Sequence, residues 1–170
     1  MNQDEIEYLS AVLRKTVRTE IRVAAILDQP ATLSPLPADH GAEDRLIATA
    51  REGVIVEGLD PRDFSRPLHE LLWVVLCEAK AAGVEPTTDK VFKVLAADGW
   101  TGSGLREEVE RLFDKVPFAW PASDARSVRR CARLRRVCIL AQQLDALART
   151  QDDDEQLRAV AAKIQRELVK

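Results

Sequence analysis

The chain has 170 residues, 46% hydrophobic and 31% charged, with 5% aromatic residues and a formal net charge of -3. A leucine-, alanine-, arginine-, glutamate- and valine-rich mix of this kind suits a globular domain with a real core and favours helix over sheet, while the slight negative charge excludes a global pull toward nucleic acid or a membrane surface. Three cysteines without a CxxC pair argue against a disulfide scaffold and for a reducing compartment, the acidic start Met1-Asn2-Gln3-Asp4-Glu5 is unlike a signal peptide, and no apolar run approaches the ~20 residues of a membrane span; the expected location is the cytoplasm.

In chain order, Ile6, Leu9, Val12, Val17 and Ile21 recur at helical spacing and predict a helix from about Asp4 to Leu27. Three prolines within residues 30–37 (Pro30, Pro35, Pro37) then stop any helix and mark a linker. A second helix fits Ala42–Arg51, with Leu46, Ile47 and Ala50 on its apolar face and Gly53 at its end. Asp60-Pro61 reads as a cap followed by proline at the first helical position, a short turn ending near Phe64. Pro67 opens the next helix in the same way, with Ser65 as a candidate cap, and Gly83 closes it after Ala82. Thr88–Ala97 and Leu105–Val116 follow, separated by the glycine-rich loop Gly99–Gly104. The run Pro117-Phe118-Ala119-Trp120-Pro121 breaks the pattern. Ser123-Asp124 then caps a long helix to about Arg149, and a short turn leads to a final helix over Asp153–Leu168, so the two pack antiparallel as a hairpin. The predicted fold is all-α: an extra N-terminal helix and linker over residues 1–33, a helical globular bundle over 37–120 and a helical hairpin over 121–170.

The long helix carries its apolar residues on two different faces. At about 100° per residue, Val128, Cys131, Leu134 and Cys138 share one sector, whereas Leu140, Leu144 and Leu147 fall on the opposite side, in line with Arg126, Arg129, Arg130 and Arg133. A stripe that changes face implies two neighbours: the globular body for the first half and the hairpin mate, or another subunit, for the second. Leu157, Val160, Ala161, Ile164 and Leu168 form a narrow seam on the last helix. Together with Leu144 and Leu147 this seam is the candidate self-association surface; a purely intramolecular hairpin seam is the alternative.

Chemistry-bearing motifs are few. There is no phosphate-binding G-x-x-x-x-G-K-[ST] loop and no G-x-S-x-G elbow. His40 and His69 stand at no metal-ligand spacing to each other or to a cysteine, and His69, beside Leu68 and Leu72, reads as a structural residue. The acidic run Asp152–Glu155 lacks the alternation and glycine of a calcium loop. No catalytic residue, cofactor or metal is expected. The most distinctive feature is cationic: Arg126, Arg129, Arg130, Arg133, Arg135 and Arg136 fall within residues 126–136, and the first four share a face. That face is either solvated and bonded to nearby carboxylates or the docking site of an acidic partner. Direct nucleic-acid contact is expected to be weak or absent, since no aromatics are interleaved with the arginines.

Three segments resemble, in order, the N-terminal domain of the DnaB-type replicative DNA helicases. Pro37-Ala38-Asp39-His40-Gly41-Ala42-Glu43-Asp44-Arg45-Leu46 is similar to the family's proline-led entry into a helix. Leu59-Asp60-Pro61-Arg62-Asp63-Phe64-Ser65-Arg66-Pro67-Leu68-His69-Glu70-Leu71-Leu72 resembles its Asp-Phe…His signature. Val116-Pro117 followed by Ala125–Leu140 resembles its Val-Pro and long-helix signature, with Cys131 and Arg135 departing from it. The resemblance spans about residues 37–168. It implies a non-catalytic protein-interaction module of DNA replication, a helical globule with a hairpin that self-associates into a dimer or higher oligomer and docks the replicative helicase, primase or helicase loader. The family's ATPase domain does not follow Lys170, and Met1–Leu33 has no counterpart, so a free-standing relative is expected. The alternative is a free-standing helical regulatory protein that binds DNA through the arginine-rich helix.

Overall fold

The computed structural model describes residues 36–117, 119–150 and 154–169, so the helix expected over residues 1–33 lies outside the described part. Among the described residues the fold is all-α, with six α-helices, one 3-10 turn and no strand.

Helix α1 (His40–Arg51) starts two residues before the expected Ala42, because Asp39 caps it and accepts from the Ala42 N–H at 3.0 Å. Its end is closed by Gly53 at φ 80°, where the Gly53 and Val54 N–H groups take the Ala50 and Thr49 carbonyls. The turn Pro61–Asp63 is held by a reciprocal capping box between Asp60 and Asp63. Helix α2 (Pro67–Ala81) begins at its proline, but the expected Ser65 cap is not made: Arg66 holds the cap position without a side-chain bond, and the Ser65 N–H is turned to Glu43 at 2.8 Å. Helix α3 (Thr88–Ala97) is capped by Thr87. Helix α4 (Leu105–Phe113) stops short of the expected Val116, since the residue before Pro117 is driven out of the helical region and the Lys115 ammonium is drawn to Asp44 at 2.8 Å.

Helix α5 (Pro121–Thr150) has 30 residues, about 45 Å long at 1.5 Å per residue. It opens with proline at the first position, not with the expected Ser123-Asp124 cap. Asp124 is instead buried and accepts a bidentate pair from Arg45, Nε to Oδ2 at 2.9 Å and Nη2 to Oδ1 at 2.7 Å. Helix α6 (Asp154–Val169) runs back along α5.

Helix α1 sits at the centre, packed by α2, α4 and α5, and the 3-10 turn is wedged between α2 and α5. The core joins Leu46 and Ile47 of α1, Leu71, Leu72, Trp73, Val75 and Leu76 of α2, Val91, Val94 and Leu95 of α3, Val109, Leu112 and Phe113 of α4, and Ala125 and Val128 of α5. Phe64, just after the turn, is buried with its ring 5.4 Å from that of Trp73, while Leu68 packs on the core's edge. The α5 residues buried in this body or bonded to it run from Asp124 to Arg136, and among the described elements α6 packs on α5 alone, so the hairpin projects as an arm. The inward line of α5 is Ala125, Val128, Ala132 and Arg135, at helical three- and four-residue spacing. The expected sector is corrected accordingly: Val128 is buried, but Leu134 is 37% exposed and Cys131 and Cys138 are only half-buried.

Candidate partner interface

The six clustered arginines divide into two groups with different work. Arg135 turns inward and donates to the backbone carbonyls of Pro37, at 2.9 Å, and Asp63, and burial pulls its pKa below the usual arginine value. Arg136 bridges two elements, with Nη1 3.2 Å from Asp63 Oδ1 on the 3-10 turn and Nε 3.0 Å from Glu167 Oε2 on α6. These two arginines bind the base of the arm to the globule. The other four behave differently. Arg129 donates only to the Ala125 carbonyl one turn back, at 3.4 Å. Among the described residues Arg126, Arg130 and Arg133 make no hydrogen bond and no ion pair, so the solvated face is not neutralised by neighbouring carboxylates.

The unpaired arginines stand in register with the hairpin seam. Arg126, Arg130, Arg133, Val137, Leu140, Leu144 and Leu147 follow one another at alternating steps of four and three residues, one continuous stripe along α5. Val137, Leu140, Leu144 and Leu147 are half-buried, on the face that α6 covers. On α6 the answering line is Leu157, Val160, Ile164 and Glu167, in which Val160 is buried at 9% exposure and Leu157, Ile164 and Glu167 are half-buried. Leu144, Leu147, Leu157, Val160 and Ile164 are therefore brought together within one chain, as the hairpin seam. Leu168 is not: it is 61% exposed and, with Val169, stands off the seam.

A second polar cluster lies inside the globule. His69 is fully buried, with Nδ1 2.9 Å from Glu43 Oε2 and Nε2 3.4 Å from Asp44 Oδ1. Asp44 also takes Lys115 at 2.8 Å and Arg111 at 3.1 Å. Burial pushes both carboxyls up, but the bonds from His69 and Ser65 to Glu43, and from Lys115 and Arg111 to Asp44, outweigh it and hold each below the ordinary carboxylate value. Sequence reasoning placed His69 as structural and missed its partners, although Glu43 lies on the face already marked by Leu46, Ile47 and Ala50. Nearer the surface, His40 Nδ1 is 3.2 Å from Ser65 Oγ and 3.9 Å from Glu43 Oε2. Both contacts use the same ring nitrogen, whereas a serine–histidine–carboxylate relay needs one on each side of the ring.

Elsewhere, an open cleft of about 540 Å³ is lined by Arg51, Glu52, Asp89, Arg106 and Glu110 among others. Its cations are engaged: Arg106 pairs with Asp89 at 2.7 Å over the Phe92 ring, and Arg51 with Glu52 at 3.0 Å over Phe113. Burial pushes the Cys77 thiol up to about 11, which keeps it protonated and unreactive at neutral pH. Among the described residues no cluster of histidine, cysteine or acidic side chains could hold a metal ion, and no helix is long and apolar enough to cross a membrane. The sequence matches no protein-family model and no curated protein.

Proposed function

We propose that this chain is a non-catalytic protein-interaction module of DNA replication, akin to the collar domain of the DnaB-type helicases, that self-associates and docks a replicative helicase, primase or helicase loader. The observation that carries this reading is the arm: the 30-residue α5 is bonded to the globule through residues up to Arg136 and continues beyond them, paired with α6, which among the described elements packs on α5 alone. A projecting hairpin anchored at its base by Arg135 and Arg136 offers helical surface to other chains. The polar cluster around His69 is spent on joining α1 to α2 and α4, which suits a rigid scaffold. The three segments that resemble the family fall on the start of α1, the 3-10 turn with α2, and α5, the elements that build the globule and launch the arm.

Surface-binding measurements with purified helicase, primase and loader test the reading: saturable binding to one of them is the expected result, and binding to none defeats it. The unneutralised Arg126, Arg130 and Arg133 favour the second reading, DNA binding through α5. It requires affinity for a DNA duplex or single strand at physiological salt, with a log–log salt slope that falls when these arginines are removed.

A further inference from the structure

The stripe on α5 changes chemistry without changing register. From Val137 to Leu147 it is apolar and half-buried on the face that α6 covers; from Arg126 to Arg133 it is cationic, with Arg126 and Arg130 exposed and Arg133 half-buried. The transition is visible on α6 as well. Its seam runs Leu157, Val160, Ile164, Glu167, so the first acidic residue of the seam comes where the arginines begin, and Glu167 is half-buried against Arg136 at 3.0 Å. Antiparallel pairing of Glu167 with Arg136 places Val169, two residues on, about 3 Å nearer the globule at 1.5 Å per residue. Helix α6 as described therefore reaches no further than the edge of the arginine face.

We propose that the Arg126–Arg133 face of α5 is a docking site for an acidic amphipathic helix of a partner protein, lying end to end with α6 and carrying carboxylates at three- and four-residue spacing. The proposal rests on the interaction-module reading and adds the chemistry of the partner. Three observations select this occupant. The spacing Arg126, Arg130, Arg133 is that of a helix–helix seam, the same seam already occupied by a helix one turn further along. The charges on it are unneutralised among the described residues, so the complementary surface is anionic. Glu167 shows within the chain how a helix on this seam meets an arginine of α5, since it pairs with Arg136 beside the end of the stripe. Arginine forks on carboxylates supply the pairing, and the exposed stems of the side chains cover the apolar edge of the incoming helix.

The test uses the full chain and a fluorescent, helix-stabilised peptide with glutamates at alternating three- and four-residue steps on one face. Controls are a peptide of the same composition with its glutamates spread round the helix, a matching lysine peptide, and an oligo-dT strand of equal charge. Anisotropy at low ionic strength is expected to show saturable binding of the one-faced acidic peptide and at least tenfold weaker binding of the scattered one. Arg126→Glu with Arg130→Glu, both exposed and unpaired, is expected to lower that affinity about tenfold, since each exposed pair is worth a few-fold and reversal adds repulsion, and to create binding of the lysine peptide. Circular dichroism checks that the variant keeps its fold. Equal binding of the one-faced and scattered peptides, absence of binding, or tighter arginine-dependent binding of oligo-dT each overturns the proposal. The two readings fail separately: a helicase, primase or loader that binds wild type and the reversed variant equally removes this site and leaves the module, whereas peptide binding and charge swap without any replication partner leave the site and remove the module.

Discussion

His69 Nδ1 stands 2.9 Å from Glu43 Oε2 with both side chains fully buried, a pairing that ties α2 to α1 across 26 residues of sequence. The other ring nitrogen faces Asp44 Oδ1 at 3.4 Å, and neither of those atoms has a hydrogen-bond partner. Removing the ring takes from the fully buried Glu43 its partner on Oε2 and leaves it the Ser65 N–H, while Asp44 keeps Lys115 and Arg111. His69→Leu is expected to cost about 3–5 kcal/mol, the range for breaking a buried pair by deleting one member, read as a lower urea midpoint with an unchanged slope. The double variant Glu43→Leu with His69→Leu is expected to lose less than the sum of the two single changes, because no orphaned Glu43 charge remains. Strict additivity in that cycle means the contact contributes nothing.

The same cluster sets the acid limit of the fold. Burial acts against ionisation of Glu43 and Asp44, yet their hydrogen bonds prevail and both titrate below their ordinary values of 4.5 and 3.8. A depressed folded pKa stabilises the protein above the ordinary value, and the stabilisation disappears as pH falls through the depressed one. Asp39 and Glu108 act in the same direction, led by bonds from Ser127 and Arg111 respectively, while burial raises Glu70 and acts against them. The melting temperature contributed by these groups is expected to be level from pH 7 to about 5 and to fall below about 4.5. Glu43→Gln is expected to start lower and to lose less on acidification. A variant curve parallel to wild type throughout assigns the acid sensitivity to other groups.

How much of this could be read from the sequence depends on what each residue does. Helix existence followed from spacing and from punctuation by Pro67, Gly53 and Gly83, because backbone sterics act locally. Polar residues with long-range work were not legible. Asp124 reads as a cap, and only the fold brings Arg45 to it across 79 residues of sequence. Arg135 reads as surface, and its inward position, one turn after Ala132, is recoverable only once the Pro37 and Asp63 carbonyls are seen to need donors. Leu134 reads as inward because its angle groups it with Val128, Cys131 and Cys138, but the inward line runs to the other side of Val128, through Ala125 and Ala132. The candidate interface divides in the same way. Its change of face near Val137–Leu140 is a property of α5 alone, while the carboxylate neighbours that could have neutralised Arg126 and Arg130 are set by tertiary packing.

At the base of the arm, Arg136 is shared between Asp63 of the 3-10 turn and Glu167 of α6. Its side chain is 46% exposed, so solvent screens both pairs and the global cost of Arg136→Ala is expected to stay near 1 kcal/mol. The local effect is larger in kind, since this is the described side chain that links α6 to the globule. Hydrogen exchange is expected to quicken through residues 160–169 and to remain unchanged in α2. Uniform quickening in both regions means that Arg136 supports the whole fold and not the arm.

The hairpin seam yields the test of self-association. Ile164 is half-buried between Val160 and Glu167 on the face that α5 covers, so an aspartate there places a charge against Val137 and Leu140. Burying that unpaired charge costs more than a weak association supplies, and Leu157→Asp acts in the same way nearer the turn. If two chains join through their arms, sedimentation of wild type gives a concentration-dependent mass above that of one chain, and both variants shift it toward the monomer. Loss of helical ellipticity confined to about the length of α6 accompanies the shift, because the seam that closes the hairpin is the seam that is damaged. Wild type and variants of identical, single-chain mass confine the seam to the monomer. The arm then acts through Arg126, Arg130 and Arg133 at its base and not through Leu144, Leu147, Leu157, Val160 and Ile164 along its length.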